Sequence, residues 1–197
     1  MSVNLKIGFN NNLITNSSYT KFLGVTMDNT LSWNNHIDLL KIKLSTASYI
    51  IINPRTYMSA ASLEMIYYAF FHSATSYGII FWGNSSRSST LLSMQNKAIR
   101  ITEGRGNRVS CRSVFKKLQI FPLTSQYMLF LLIFVVQNKN LFSSSIEYHN
   151  IDTTQRNNLY LPQTNLTIYQ KAAYFLGIKI FSNLPLEIKN VDCNQKV

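Results

Sequence analysis

The sequence predicts a mainly α chain with a small β-hairpin at its N-terminus, an α+β arrangement of four to six helices. Two observations carry that prediction. Apolar residues alternate with polar ones near the start, at Val3, Leu5, Ile7 and Phe9, and from Ile37 onward they recur with a period near 3.6. The hydrophobic fraction is 46% over 197 residues, which supplies one sizeable core or two small ones and carries no signature of disorder.

Residues 3–27 read as strand and turn, with Asn10-Asn11-Asn12 supplying residues that tolerate left-handed backbone. Lys21 to Met27 forms a second strand-like run closed by Asp28-Asn29, and Gly24 inside it marks a bulge or a close backbone approach. Ser32 then caps a helix whose Ile37, Leu40, Leu44, Ala47 and Ile51 share one face, ended by Asn53-Pro54. Ser59 or Ser62 opens the next helix, with Leu63, Ile66, Tyr67, Phe70, Phe71 and Ala74 as its stripe, running toward Tyr77-Gly78. Past a polar loop from Gly83 to Ser89, a third helix holds Leu91, Met94, Ala98 and Ile101, with Gly104 as its C-cap. Residues 105–112 form a basic link. Short helices follow at Ser113 to Leu118 and, with Thr124 as cap, at Ser125 to Lys139; the latter is apolar nearly all round and so must be buried on most sides. Residues 143–168 read as polar and irregular, and aromatic and apolar residues alternate from Tyr169 to Lys189.

Charge is the strongest functional signal. Nineteen Lys and Arg against eight Asp and Glu give a formal +11, the mark of a chain that meets polyanions or an acidic membrane surface. Between residues 65 and 146 the one acid is Glu103, while Lys97 and Arg100 lie a helical turn apart and Arg105, Arg108, Arg112, Lys116 and Lys117 follow. A solvated helix face explains such a run equally well on charge alone. The longest apolar run, Met128 to Val136, falls short of the roughly 18–20 residues of a membrane-crossing helix. With no basic leader before a long apolar stretch, an intracellular chain, cytoplasmic or nuclear, is expected. Cys111 and Cys193 stand too far apart for a cysteine-rich zinc site, which fits a reducing compartment.

Catalytic chemistry is not visible. No Asp-Asp pair exists for two-metal nucleotidyl transfer, and Asp28 and Asp38 are better read as a strand end and as a partner of Lys41. His36, His72 and His149 have no ligand spacing, and no phosphate-cradling glycine loop or nucleophile elbow occurs. No residue is assigned a catalytic or metal-binding role.

Five blocks, in order, carry a resemblance. Lys21-Phe22-Leu23-Gly24-Val25-Thr26-Met27-Asp28 with Leu31-Ser32-Trp33 and His36-Ile37 comes first, followed by Tyr77-Gly78 with Phe81-Trp82-Gly83. Next are Gln95-Asn96-Lys97-Ala98-Ile99-Arg100, then Ser113-Val114-Phe115 with Leu118, Ile120, Pro122-Leu123 and Tyr127, and finally Phe181 with Leu184-Pro185 and Ile188-Lys189. Together they resemble the region after the catalytic palm in reverse transcriptases of jockey-like non-LTR retrotransposons, over roughly residues 3–190. The register of residues 143–168 departs from the family pattern, with Thr154-Gln155-Arg156 where a Thr-Arg pair belongs.

The resemblance implies a helical thumb-like bundle and a division into four parts: 1–30 a palm-edge, primer-grip-like hairpin, 31–104 the thumb-like helices, 105–142 a basic link with apolar helices, and 143–197 an irregular connection. It also implies that Lys21, Phe22, Leu23 and Gly24 approach the primer end. In the same picture Lys97, Arg100, Arg105, Arg108, Lys116 and Lys117 meet phosphates of RNA, DNA or an RNA–DNA duplex. The intact family enzyme uses Mg²⁺ in its palm, and a palm and fingers portion is the implied protein partner. The expectation is thus a C-terminal piece of an RNA-directed DNA polymerase, inactive alone. A host-retained RNA-binding or hybrid-binding module and a basic amphipathic membrane-surface protein are the alternatives.

Overall fold

The computed structural model describes residues 7–9, 12–14, 17–106, 109–143 and 159–189. Val3, Leu5, Asn10, Asn11, Arg108, His149, Thr154 to Arg156 and Cys193 lie outside the described residues. The chain is mainly α with a small β element, as its periodicity predicts. That element consists of two antiparallel hairpins. Strands β1 (Ile7–Phe9) and β2 (Asn12–Ile14) pair with Ile7 opposite Ile14, and β3 (Tyr19–Phe22) and β4 (Val25–Asp28) pair with Phe22 opposite Val25. Lys21 to Met27 is therefore not one strand. Its apolar run continues through a two-residue turn, Leu23-Gly24, whose φ values of 45° and 79° are those of the type I′ hairpin turn that matches strand twist.

Helix α1 (Asn34–Ile52) buries His36, Ile37, Leu40, Leu44, Ala47 and Ile51, the predicted face with His36 added. Ile37, Leu44 and Ile51 are fully buried, each contributing roughly 1.5–3 kcal/mol of hydrophobic stabilisation. Its N-cap is Trp33 with φ 63°; Ser32 sits one residue earlier, and its Oγ accepts only a long 3.5 Å bond from the Asn34 N–H.

After a 3₁₀ turn at Asn53–Thr56, α2 runs from a Ser59 cap that accepts the Ser62 N–H, through Ala60–Ile66, a π segment at Tyr67–His72, and Ser73–Ser76. The π turn rewrites the predicted stripe. Leu63, Tyr67, Phe71 and Thr75, spaced by four, are buried, whereas Phe70 is half exposed. Hydroxyls of Ser73, Thr75 and Ser76 donate to the carbonyls of Ala69, Phe71 and His72, drawing those carbonyls away from the regular ladder.

Beyond the single turn α3 (Ile79–Trp82) comes α4 (Ser88–Thr102). Gly104 closes it at φ 68°, with its N–H bonded to the Ile101 carbonyl and the Arg105 N–H to that of Arg100, the paired pattern of a Schellman cap. Two approaches show that α4 runs parallel to α1. Arg87 meets Asp38 at their N-terminal ends (2.9 Å), and Arg55 Nη2 lies 3.3 Å from where a Gly104 Cβ would stand at their C-terminal ends.

Helix α5 (Arg112–Lys117) leads to α6 (Leu123–Gln137), where Thr124 makes no cap. Nor is α6 buried on most sides. Leu123, Gln126, Tyr127, Leu131 and Val135 are inside, while Met128, Leu129 and Ile133 form an exposed apolar strip. The short α7 (Thr167–Gln170) precedes α8 (Ala173–Ser182), and α9 (Leu186–Lys189) ends the described chain. Region 143–197 is therefore not irregular throughout. Helix α8 packs on α6 at Gly177, and Ile178 and Phe181 join Val135 and Phe142 in a second, smaller core. The main core is shared by α1 to α6, so packing crosses the boundary drawn at residue 104.

Candidate nucleic-acid interface

The β3–β4 hairpin is anchored to the helices at its tip. The Tyr77 hydroxyl donates to the Leu23 carbonyl, and a Cβ on Gly24 would stand 3.6 Å from the Tyr77 ring. The close approach read from Gly24 is thus an approach to Tyr77, made possible by a left-handed turn rather than a bulge. Phe22 and Leu23 are 63% and 73% exposed. They border an apolar groove of about 470 Å³ that Val25, Met27, Trp33 and Phe81 complete. Lys21 is exposed and pairs across the hairpin with Thr26, whose N–H points at His36 Nδ1 (3.4 Å).

Beside it, the Tyr77 to Gly83 block has a packing explanation. Gly78 takes φ 62° against Val25, Trp82 is fully buried and its Nε1–H donates to the Tyr77 carbonyl (3.0 Å). A Cβ on Gly83 would fall 2.4 Å from the Tyr127 ring. Gln95 is a third fixed point, fully buried in α4. Its Nε2 donates to the Tyr67 hydroxyl (2.9 Å) and the Phe121 carbonyl (3.1 Å), and its Oε1 accepts the Leu123 N–H (2.8 Å). That last bond satisfies an orphan donor at the start of α6, the work Thr124 does not do. The structural role of Gln95 is not legible in the sequence, because its partners come from α2 and from the Phe121–Leu123 segment that leads into α6.

The basic residues gather at the other end of α1. Lys97 is exposed on α4; Arg100, one turn on, donates through Nε to the Val109 carbonyl (2.8 Å) and so holds the loop after the Gly104 cap. Arg105 is exposed in that loop. On α5, Arg112 and Lys116 are exposed, and Lys117 is tied to Glu103 at 2.6 Å. Arg55, which sequence alone did not single out, joins this end through its contact at Gly104. Among the described residues only three ion pairs occur, two of them on Asp38, so most cations have no carboxylate against them. The two predicted groups, residues 21–24 and the cations from Lys97 onward, are not one cluster. Residues 21–24 sit by the N-terminal end of α1, whereas the cations run from Lys97, part-way along α4, to Arg105 and Arg55 at the far end, roughly 25 Å off at 1.5 Å per helical residue.

The titratable groups point to structure rather than chemistry. Burial pulls Asp28 upward, but bonds from Ser32 (N–H and Oγ, both 2.7 Å) and Thr30 (2.9 Å) outweigh it and hold the carboxyl below its ordinary range. Asp38, bound by Lys41 and Arg87, is likewise lowered. Burial lowers both His36, which Lys43 depresses further, and His72, and raises Tyr127 to about 12. No three ligand-type residues gather among the described residues. No helix among the described residues is long and apolar enough to cross a membrane. No family model, curated protein or solved structure matches the chain.

Proposed function

We propose that the chain serves as the thumb and connection portion of a non-LTR reverse transcriptase, gripping primer and template while the carboxylates of nucleotidyl transfer belong to the palm. The observation that carries this reading is the separation of the two surfaces along α1. An apolar hairpin tip with Lys21 stands at one end and Arg55 and Arg105 stand at the other, about 25 Å away, a span of roughly seven base steps along a duplex, with Lys97 on α4 between them. Phosphate contacts of this kind fix position without reading sequence. The order of the five sequence blocks supports the same reading.

A salt series on a labelled RNA–DNA primer-template tests it. Affinity should fall steeply with salt, and Lys97→Glu with Arg105→Glu should weaken binding at least tenfold and flatten the slope by about two. Arg100 is avoided because its loss would also free the Val109 loop. Binding insensitive to both salt and charge reversal would overturn the proposal. The exposed strip of Met128, Leu129 and Ile133 favours a second reading, residence on acidic membrane, which predicts sedimentation with phosphatidylserine vesicles at low salt and little affinity for the duplex.

A further inference from the structure

Between α4, α5 and the start of α6 lies a groove of about 560 Å³ that the hairpin and duplex-gripping surfaces do not include. Its floor is apolar, with Leu92 and Ile120, and no carboxylate lines it. Arg112 and Lys116 stand on its wall at positions i and i+4 of α5, one turn apart on the same face. Asn96 lines it too, and its amide can both donate and accept. At its mouth Phe121 is 55% exposed, although its own backbone carbonyl is pinned by Gln95 Nε2 and the next turn by the Leu123 N–H bond to Gln95 Oε1. The exposed ring therefore stands on a backbone fixed by two hydrogen bonds.

The geometry points to a site for an unpaired nucleotide of a single strand, with the base stacked on Phe121 and its edge at Asn96, and the phosphate held by Arg112 and Lys116. The charge asymmetry favours an anion, and the ring beside an amide suits one that has both a π-face and a hydrogen-bonding edge. An anionic lipid has the charge without the edge, and a duplex keeps its bases stacked and out of reach. This inference rests on the nucleic-acid reading above and deepens it: the grip on paired phosphates would be joined by a contact specific to an overhang.

Three probes of equal length test it with the full chain: a single-stranded RNA hexamer, the same hexamer made abasic, and the blunt RNA–DNA duplex. The hexamer should bind roughly tenfold tighter than its abasic counterpart. Phe121→Ala should abolish that preference, Phe121→Tyr should restore it, and both should leave duplex affinity unchanged; the side chain is exposed, so the fold tolerates the change. Equal binding of the hexamer and its abasic form, with duplex binding intact, would overturn the nucleotide site and leave the thumb reading standing. Loss of all nucleic-acid binding, with capture by phosphatidylserine vesicles, would overturn both.

Discussion

Asp28 shows how much one side chain can hold. Leu31 and Trp33 take φ values of 51° and 63°, a left-handed conformation that costs bulky residues of order 1–3 kcal/mol each, and both flank Ser32, whose N–H and hydroxyl are bound by the Asp28 carboxylate. The carboxylate thus fixes the path from β4 into α1. Asp28→Ala should destabilise the chain by roughly 1–2 kcal/mol, read as a lowered midpoint in urea with an unchanged slope. Because its folded pKa is depressed, the stability Asp28 confers is fully present above the ordinary aspartate value and lost as pH falls through the folded one. The variant should therefore lose less stability than the wild type between pH 5 and pH 3; an equal loss in both would show that the Asp28 bonds do not form.

Elements in this fold are joined by polar pins and glycine contacts as much as by apolar faces. Gln95→Leu removes three bonds and strands the Tyr67 hydroxyl and the Leu123 N–H inside the core, which should cost about 2–4 kcal/mol; adding Tyr67→Phe removes one stranded group and should recover part of the loss. At the α6–α8 crossing, a Cβ on Gly177 would come 2.7 Å from Val135 Cγ2, so Gly177→Ala should cost about 1–3 kcal/mol by overpacking, and Val135→Ala placed with it should relieve the strain without restoring full stability. These joints separate what the sequence revealed from what it concealed. The inner face of α1 was legible because its apolar residues alternate steps of three and four with nothing to disturb them. In α2 the π turn shifts the register by one residue, turning Phe70 outward and Thr75 inward, and no single-residue property announces it. The hairpin turn at Leu23-Gly24 was hidden because Phe22, Leu23 and Val25 keep the look of a continuous strand. Helix α8 escaped because Gly177 interrupts its apolar face at the point of closest packing. The cations of the candidate interface were legible from charge alone, but Arg55 was not, since it reaches Gly104 only through the parallel alignment of α1 and α4.

For the molecule as a whole, charge and burial act in the same direction as the solution is acidified. The chain carries +11 with its three histidines neutral, and protonating them brings it to +14, so lowering the pH adds self-repulsion to a surface with only three described ion pairs. His36 and His72 reinforce this. Burial lowers both pKa values, so the unfolded chain binds protons more readily than the folded one, and stability is complete above about 6.5 and declines as pH falls toward the depressed folded values. His36 is the more consequential of the two, since its Nδ1 accepts the Thr26 N–H and a proton there would set donor against donor at the junction of the hairpin with α1. The melting temperature should therefore drop between pH 7.5 and pH 5. Added salt should recover the part due to net charge, which is screened, but not the part due to His36, which is buried. Amide exchange at constant salt separates the two: Thr26 and its neighbours in β4 should lose protection on acidification before the core of α1 does, and His36→Gln should remove that order. Simultaneous loss along β4 and α1 would mean that net repulsion, acting on the whole fold, sets the acid limit.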